Sequence, residues 1–485
     1  MINVKAVSVN VGKALLISAL FMALSIGISI LYGRDSGFGP LLISFIITLL
    51  VGAFPFIFVK NVPGLSLKDG YVTIVLAWVL SFIFGMLPYV LWGGEFTLVN
   101  AWFESVSGYT TTGSTILNDI EALPKSLIFW RSSTHYIGGL GVVVFLLLVM
   151  PSASPYRLKL TNMELSVLSK EGYRYKSTKV VWVITMVYIG LTIASTIALW
   201  LSGMSFFDAV NHAFSIAATG GFSTRNQSIA SFDSQLINVV TMIFMAISAI
   251  HFGLLYAVVI TRSFKPLNNS VIRYYFGSIA LMTLIIAFSL IRDGGYDSWG
   301  RAFMDASFNV VSYMSTTGFA NCDNAGWPWL AAVVLIFVSF HCGCSGSTTG
   351  GIKIDRLLIV FKAFVTELKR RVYPSSVSHV RLDGHFLQDS AVASVTMFIV
   401  VYALVAFLSI IVVMMTGTQA ADAVSGVIAS IGSVGPGIGD LGSFDNYSSQ
   451  LTSAKLVYTF DMFLGRLEIF PVMVVISMLF NRRRR

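Results

Sequence analysis

The sequence predicts an all-α polytopic membrane protein. Its 485 residues are 55% hydrophobic and only 11% charged, whereas soluble domains are nearer a quarter charged. Mean hydropathy is +0.79. Several stretches run for about 18 residues or more with few or no charges, long enough to cross a bilayer. Together these exclude a single soluble core.

Ten crossings are expected, at roughly 12–32, 39–59, 71–92, 126–150, 179–201, 234–262, 271–291, 328–372, 390–415 and 450–480. A helix of about 21 residues rises about 31 Å, matching the hydrocarbon core. The first apolar run, Ala14–Tyr32, lacks an A-x-A cleavage site and exceeds a usual signal h-region, so it reads as a retained helix. The eighth is too long for one span and contains small polar residues, so it reads as broken.

The net charge is +9. A nucleic-acid role is excluded, because the basic residues fall in short loops between apolar segments. They cluster at Lys60–Lys68, Arg157–Lys179, Arg262–Arg273, Lys353–Arg381 and Arg482–Arg485, while Gly93–Glu95 and Asn118–Glu121 are poorer in them. That is the positive-inside pattern. It places both termini in the cytoplasm and requires an even number of crossings. The basic stretches 151–178 and 353–385 read either as docking surfaces for acidic partner faces or as contacts to anionic lipid.

Three cysteines, Cys322, Cys342 and Cys344, make no disulfide framework. The six histidines show no metal-ligand spacing. His341 with Cys342 and Cys344 lacks an evident fourth ligand, so use as small residues is the expectation. His135 and His251 read as hydrogen-bonded core residues. No soluble nucleotide-binding domain is expected, so nucleotide control would have to come through a partner.

After the third, fifth, seventh and ninth crossings come segments too short to span. Aligned without gaps they are NAWFESVSGYTTTGS (100–114), DAVNHAFSIAATGGF (208–222), DASFNVVSYMSTTGF (305–319) and DAVSGVIASIGSVGP (422–436). Each opens with Asn or Asp followed by Ala. Each has a glycine thirteen positions later: Gly113, Gly221, Gly318 and Gly435. Two positions before it stands Thr111, Thr219, Thr316 or Ser433. The shared pattern reads as four internal repeats.

Each repeat reads helix, half-helix, polar loop, helix. Asn100, Asp208, Asp305 and Asp422 are expected as N-caps, where an acid also suits the helix dipole. Each half-helix then runs inward, its negative end toward the bilayer centre. Irregular backbone at that depth must be buried in protein or line water. Four such loops can surround one axis with carbonyls that replace a cation's hydration shell. Close packing of small residues is the competing explanation.

The loops TTTG, TGG, TTG and SVG look like reduced relatives of the potassium-channel filter TVGYG. Four in one chain resemble the Trk/Ktr/HKT superfamily of potassium transporters, over residues from about 71 to the C-terminus. Two extra N-terminal helices and the stretch CGCSGSTTGGIKIDR (342–356) resemble the TrkH branch. The resemblance implies four helix–pore-helix–loop–helix repeats around a central pore. It implies a homodimer in the bacterial inner membrane, gated by a cytosolic TrkA-type nucleotide-binding ring. By it, the filter residues are Thr111, Thr112, Gly113, Thr219, Gly220, Gly221, Thr316, Thr317, Gly318, Ser433, Val434 and Gly435, with K⁺ held at them. The second glycine of TVGYG is missing from the first three loops, and only the fourth, Ser433–Gly437, keeps one at that place. An asymmetric filter that favours K⁺ and Rb⁺ over Na⁺ without sharp discrimination is therefore expected.

Residues 343–351 strongly disfavour a continuous helix. This run (Gly343, Ser345, Gly346, Ser347, Thr348, Thr349, Gly350 and Gly351) reads as an intramembrane gate below the filter or as a passive kink. Arg466 lies inside the last expected crossing, where an arginine costs about 2.5–3.5 kcal/mol or more unless it faces a cavity or a partner. In the family a basic residue matching it faces the pore below the filter; a structural salt bridge is the other reading. Glu468, two residues on, should pair with another element.

The expected organisation is two N-terminal helices (1–70), repeat one (71–150), a basic loop (151–178), repeat two (179–265), repeat three with its broken helix (266–385) and repeat four (386–485). A gated cation pore is the leading function, and a K⁺ carrier coupled to H⁺ or Na⁺ the alternative. An intramembrane enzyme would need a catalytic constellation, and none is found. A scaffold would not need four buried polar loops. No covalently bound cofactor is expected.

Overall fold

The computed structural model describes residues 2–59, 65–153, 177–375 and 378–481. Most of the basic stretch 151–178, and all of Arg482–Arg485, lie outside the described residues.

The described chain is helical apart from one antiparallel pair of two-residue strands, Arg381–Leu382 and His385–Phe386. Helices α1 (Val4–Leu31) and α2 (Phe38–Phe58) pack closely, with Gly12 against the Gly52 carbonyl. A side chain at either glycine would hold the backbones apart. α3 (Leu67–Gly85) starts in a capping box between Ser66 and Asp69 and continues through α4 (Leu87–Trp92).

Then comes α5 (Leu98–Tyr109), followed by α6 (Lys125–Ala153), α7 (Ser177–Leu201), α8 (Phe206–Ala218), α9 (Gln235–Ser248) and α10 (Phe252–Thr261). The remainder is α11 (Ser270–Arg292), α12 (Trp299–Met314), α13 (Trp329–Phe340), α14 (Ile354–Val372), α15 (Asp389–Met415), α16 (Ala420–Gly432), α17 (Thr452–Arg466) and α18 (Phe470–Asn481). Among the described residues, six segments are long and apolar enough to span: Val4–Leu31, Phe38–Phe58, Leu67–Trp92, Val181–Leu201, Ser270–Arg292 and Asp389–Met415. The protein is a multi-pass membrane protein.

The other four expected crossings each follow a short helix. Only α6 is one continuous helix. α9 and α10 bend by 102° across Ala249–His251. The loop 341–353 separates α13 from α14, and Leu467–Ile469 separates α17 from α18. Only the second of these three breaks was expected from sequence. The third had a signal in Pro471, which suits a first helical turn because it has no amide hydrogen to donate to a preceding turn. Glu468 and Ile469 there adopt φ of 57° and 59°.

The expected N-caps are corrected. Thr97, Ser205 and Ser298 cap α5, α8 and α12 through their hydroxyls, and Gln419 precedes α16 with no side-chain bond. Asn100, Asp208 and Asp422 sit at the third helical position, and Asp305 deeper still. Hydroxyls took the cap because they reach the free amides from an extended residue. The carboxylates staple the returning chain instead. Asp208 accepts from Thr224 Oγ1 at 2.6 Å and Asp305 from Asn321 Nδ2 at 2.8 Å.

Candidate functional site

The short helices α5, α8, α12 and α16 each end in the same backbone turn. Thr111, Thr219, Thr316 and Ser433 are left-handed, with φ of 53°, 54°, 53° and 54°. The glycines two residues on, Gly113, Gly221, Gly318 and Gly435, have φ of 86°, 85°, 75° and 103°. Such values cost a side-chain-bearing residue strain and cost glycine almost none.

The four loops touch in cyclic order. A β-carbon added at Gly113 would strike the carbonyl of Gly220, and one at Gly221 that of Thr317. One at Gly318 would strike the carbonyl of Val434, and one at Gly435 that of Thr112. The sequence one-to-two-to-three-to-four thus closes on itself. These glycines also line one cleft with Arg131 and Asp445. Among the described residues, Thr111 Oγ1 and Ser433 Oγ are buried with no hydrogen-bond partner.

A serine on each of the first three short helices ties its loop back. Ser107, Ser215 and Ser312 donate to the carbonyls of Ser114, Phe222 and Phe319 at 2.6, 2.7 and 2.6 Å. The accepting residue follows the glycine each time. In the fourth segment the matching residue is Ala429, and Ser425 bonds Ile438 instead. The aligned segments contained this serine, but its role shows only once the loop folds back.

A second position, three residues earlier, holds Glu104, His212, Asn309 and Gly426. Glu104 accepts from Thr115 Oγ1 and the Ile116 amide at 3.0 and 3.1 Å and pairs with Arg131 at 2.7 Å. His212 Nε2 bonds Ser223 Oγ at 3.0 Å, and Asn309 bonds Asn321. Sequence reading singled out neither Glu104 nor Arg131, because their partners are distant in the chain.

Loop 341–353 lies against one side of this cluster. Its ends are pinned to each other between Cys342 and Ile352 and between Gly343 and Ile354. It threads the break in the sixth crossing, where the Cys344 amide donates to Ala249 and the Phe252 amide to Gly346. Ser345 bonds Asp355 at 2.9 and 2.7 Å. Ser347 and Thr349 share a hydroxyl bond at 2.8 Å, and Lys353 Nζ donates to Thr349. Thr348 Oγ1 bonds the Ala217 carbonyl at 2.9 Å, the Gly350 amide bonds Thr316 Oγ1 at 3.0 Å, and Gly350 packs on Ser433. Gly351 packs on Cys342.

Arg466 is 3% exposed and donates to the carbonyls of Thr348 and Gly138 at 2.7 and 3.3 Å. Among the described residues it forms no ion pair. Glu468 does pair with another element, Arg356 of α14, at 2.7 Å. His135 bonds Ser215 at 3.3 Å and stacks on Phe222, which keeps it in the packing behind loop two. His251 accepts from the Gly253 amide and so starts α10.

One buried acid was also passed over. Asp461 of α17 is fully buried and accepts from Ser409 Oγ at 2.7 Å, and its other oxygen has no partner among the described residues.

Apolar helices broken at polar loops that touch one another point to an integral membrane transport protein. The model of the TrkH family, described as "Cation transport protein", matches residues 41–291 and 296–483, and the chain belongs to that family. It is 32% identical over 486 residues to the Trk system potassium uptake protein TrkH of Salmonella typhimurium, covering 99% of each chain. It is 33% identical over 462 residues to TrkG of Escherichia coli, covering 93% of each. The crystal structure of the potassium transporter TrkH from Vibrio parahaemolyticus superposes with a TM-score of 0.87 at 31% identity, covering 97% of this chain and 98% of that one. The family is one of transporters, not enzymes.

Proposed function

We propose that the protein takes up K⁺ through a gated pore, with the four loops as a moderately selective filter that passes K⁺ and Rb⁺ over Na⁺. The observation that carries this is the cyclic contact of four loops with the same left-handed turn. Successive carbonyls then share one axis, where they replace a cation's water shell. The C-terminal ends of four short helices add negative potential at the same place. The relatives' potassium-uptake names support the choice of ion.

The pore is taken to run between four units with the boundaries expected from sequence. Residues 343–351 and Arg466 act as its gate, on the cytoplasmic side of the filter. With both termini cytoplasmic, the loop occludes the path and the guanidinium repels a cation there. The membrane is taken to be the bacterial inner membrane. The working unit is a homodimer, regulated by a cytosolic TrkA-type ring that binds nucleotide.

The test is cation flux from purified protein in K⁺-loaded liposomes, comparing K⁺, Rb⁺ and Na⁺. Flux without an imposed H⁺ or Na⁺ gradient, favouring K⁺ and Rb⁺, is expected. In Gly318→Ser the new β-carbon meets the Val434 carbonyl, and the ion preference should change. Equal Na⁺ and K⁺ permeability in the wild type would sink the filter.

Asp461 favours a second reading, K⁺ uptake coupled to H⁺ or Na⁺ symport. An intramembrane carboxyl with one hydroxyl partner is a functional candidate by default. If flux requires a proton gradient and Asp461→Asn abolishes that requirement, the carrier replaces the channel.

A further inference from the structure

We propose that Glu104 and Arg131 are positioning residues that set the ion preference by locking loop one to loop two. The inference rests on the filter reading above and adds a determinant outside the filter loops.

Arg131 projects from α6 and is 1% exposed; Glu104 projects from α5 and is fully buried. The guanidinium reaches both loops at the same register. Nη2 donates to Thr115 Oγ1 and Nη1 to the Ser223 carbonyl, both at 3.3 Å. Thr115 lies two residues beyond Gly113, and Ser223 two beyond Gly221. Nε donates to Glu104 at 2.7 Å, and the guanidinium lies over the Phe222 ring, 3.9 Å from its centroid. One planar group thus holds a carboxylate, a hydroxyl, a carbonyl and an aromatic face. Only arginine offers that fork.

Glu104 completes the lock from the other side. It accepts from Thr115 Oγ1 and the Ile116 amide, so the chain leaving loop one is fixed to its own short helix. The matching residues, His212, Asn309 and Gly426, carry no carboxylate. Loop three is therefore held at this position by the neutral Asn309 amide, and Gly426 offers loop four no side chain there. Discrimination between K⁺ and Na⁺ depends on carbonyls that resist closing around the smaller ion. A buried ion pair across two of four loops supplies that resistance on one side of the ring.

The experiment measures K⁺ and Na⁺ flux in liposomes for wild type, Glu104→Gln, Arg131→Lys and Thr115→Val. Arg131→Lys keeps the charge and loses the fork. Thr115→Val removes the bridging hydroxyl and leaves both charges paired, so it is the mildest to folding. The expected result is a fall of about fivefold or more in the K⁺ over Na⁺ flux ratio for Glu104→Gln and Arg131→Lys, and a smaller fall for Thr115→Val. K⁺ flux itself should persist. Arg292→Gln, at an exposed site in the last turn of α11, should leave the ratio unchanged. An unchanged ratio in Thr115→Val together with whichever charge variant folds overturns the positioning role. A wild type that passes Na⁺ and K⁺ equally overturns the filter reading itself, and this inference with it.

Discussion

Arg466 Nη1 donates to the Thr348 carbonyl at 2.7 Å. The bond joins the break in the last crossing to the middle of the loop that breaks the eighth. α17 ends at Arg466, and Glu468 is tied to Arg356 of α14. Two interrupted helices are thereby fastened to each other beside the four loops.

Arg466→Gln should loosen that fastening and remove the buried positive charge. A charge-assisted hydrogen bond is worth about 1.5–3 kcal/mol, so basal K⁺ flux should rise by about tenfold or more. Stopped-flow flux from liposomes without any regulatory subunit checks this. An unchanged or lower basal rate in folded protein would remove Arg466 from the gate.

Gly465 packs on the Ile431 carbonyl of α16, as Gly138 packs on the Tyr109 carbonyl of α5. A methyl group at either place must push a helix away from the short helix it supports. Gly465→Ala should destabilise the protein by about 1–3 kcal/mol, read as a lower melting temperature in detergent. Gly190→Ala, where an added β-carbon meets nothing, should not.

Ser312→Ala removes the bond to the Phe319 carbonyl, and Ser215→Ala the bond to Phe222. Each leaves a buried carbonyl short of a donor, at a cost of about 1–3 kcal/mol. Both variants should lose ion preference at reduced thermal stability. The fourth segment, with Ala429, lacks this bond already, so Ala429→Gly should leave the preference nearly intact. Flux ratios for the three variants decide the point.

Asp445 lines the cleft that holds the four glycines. Burial and its neighbours Asp323 and Asp440 raise its carboxyl above the ordinary aspartate range. A raised group takes up its proton at higher pH than an unperturbed aspartate, so acidification discharges it early. Loss of that charge weakens cation attraction at the mouth. Uptake at limiting K⁺ should therefore fall as outside pH drops from about 7 to about 5. Asp445→Asn should start about twofold lower at neutral pH and respond less to acid. An identical pH profile in both proteins would exclude Asp445 as the sensor.

The membrane character, the four aligned segments and the break at 343–351 were all legible in the chain. Each is written in local composition or spacing: apolar length, a hydroxyl two residues before a glycine, and a run of glycine and hydroxyl residues. The positive φ at Gly113, Gly221, Gly318 and Gly435 suits residues that lack a β-carbon, whereas nothing in the chain marked Thr111, Thr219, Thr316 and Ser433 as left-handed. What the sequence could not decide was partnership. Glu104 and Arg131 lie 27 residues apart, Arg466 and Thr348 lie 118 apart, and Asp461 meets Ser409 across two helices. The N-caps were misplaced for a related reason, since Asp208 and Asp305 spend their carboxylates on returning chain that only the folded loop brings near. Local backbone preference fixes what each segment is. Hydrogen bonds between distant segments, possible only once the helices pack, decide which loops are held, which is latched and where charge is buried.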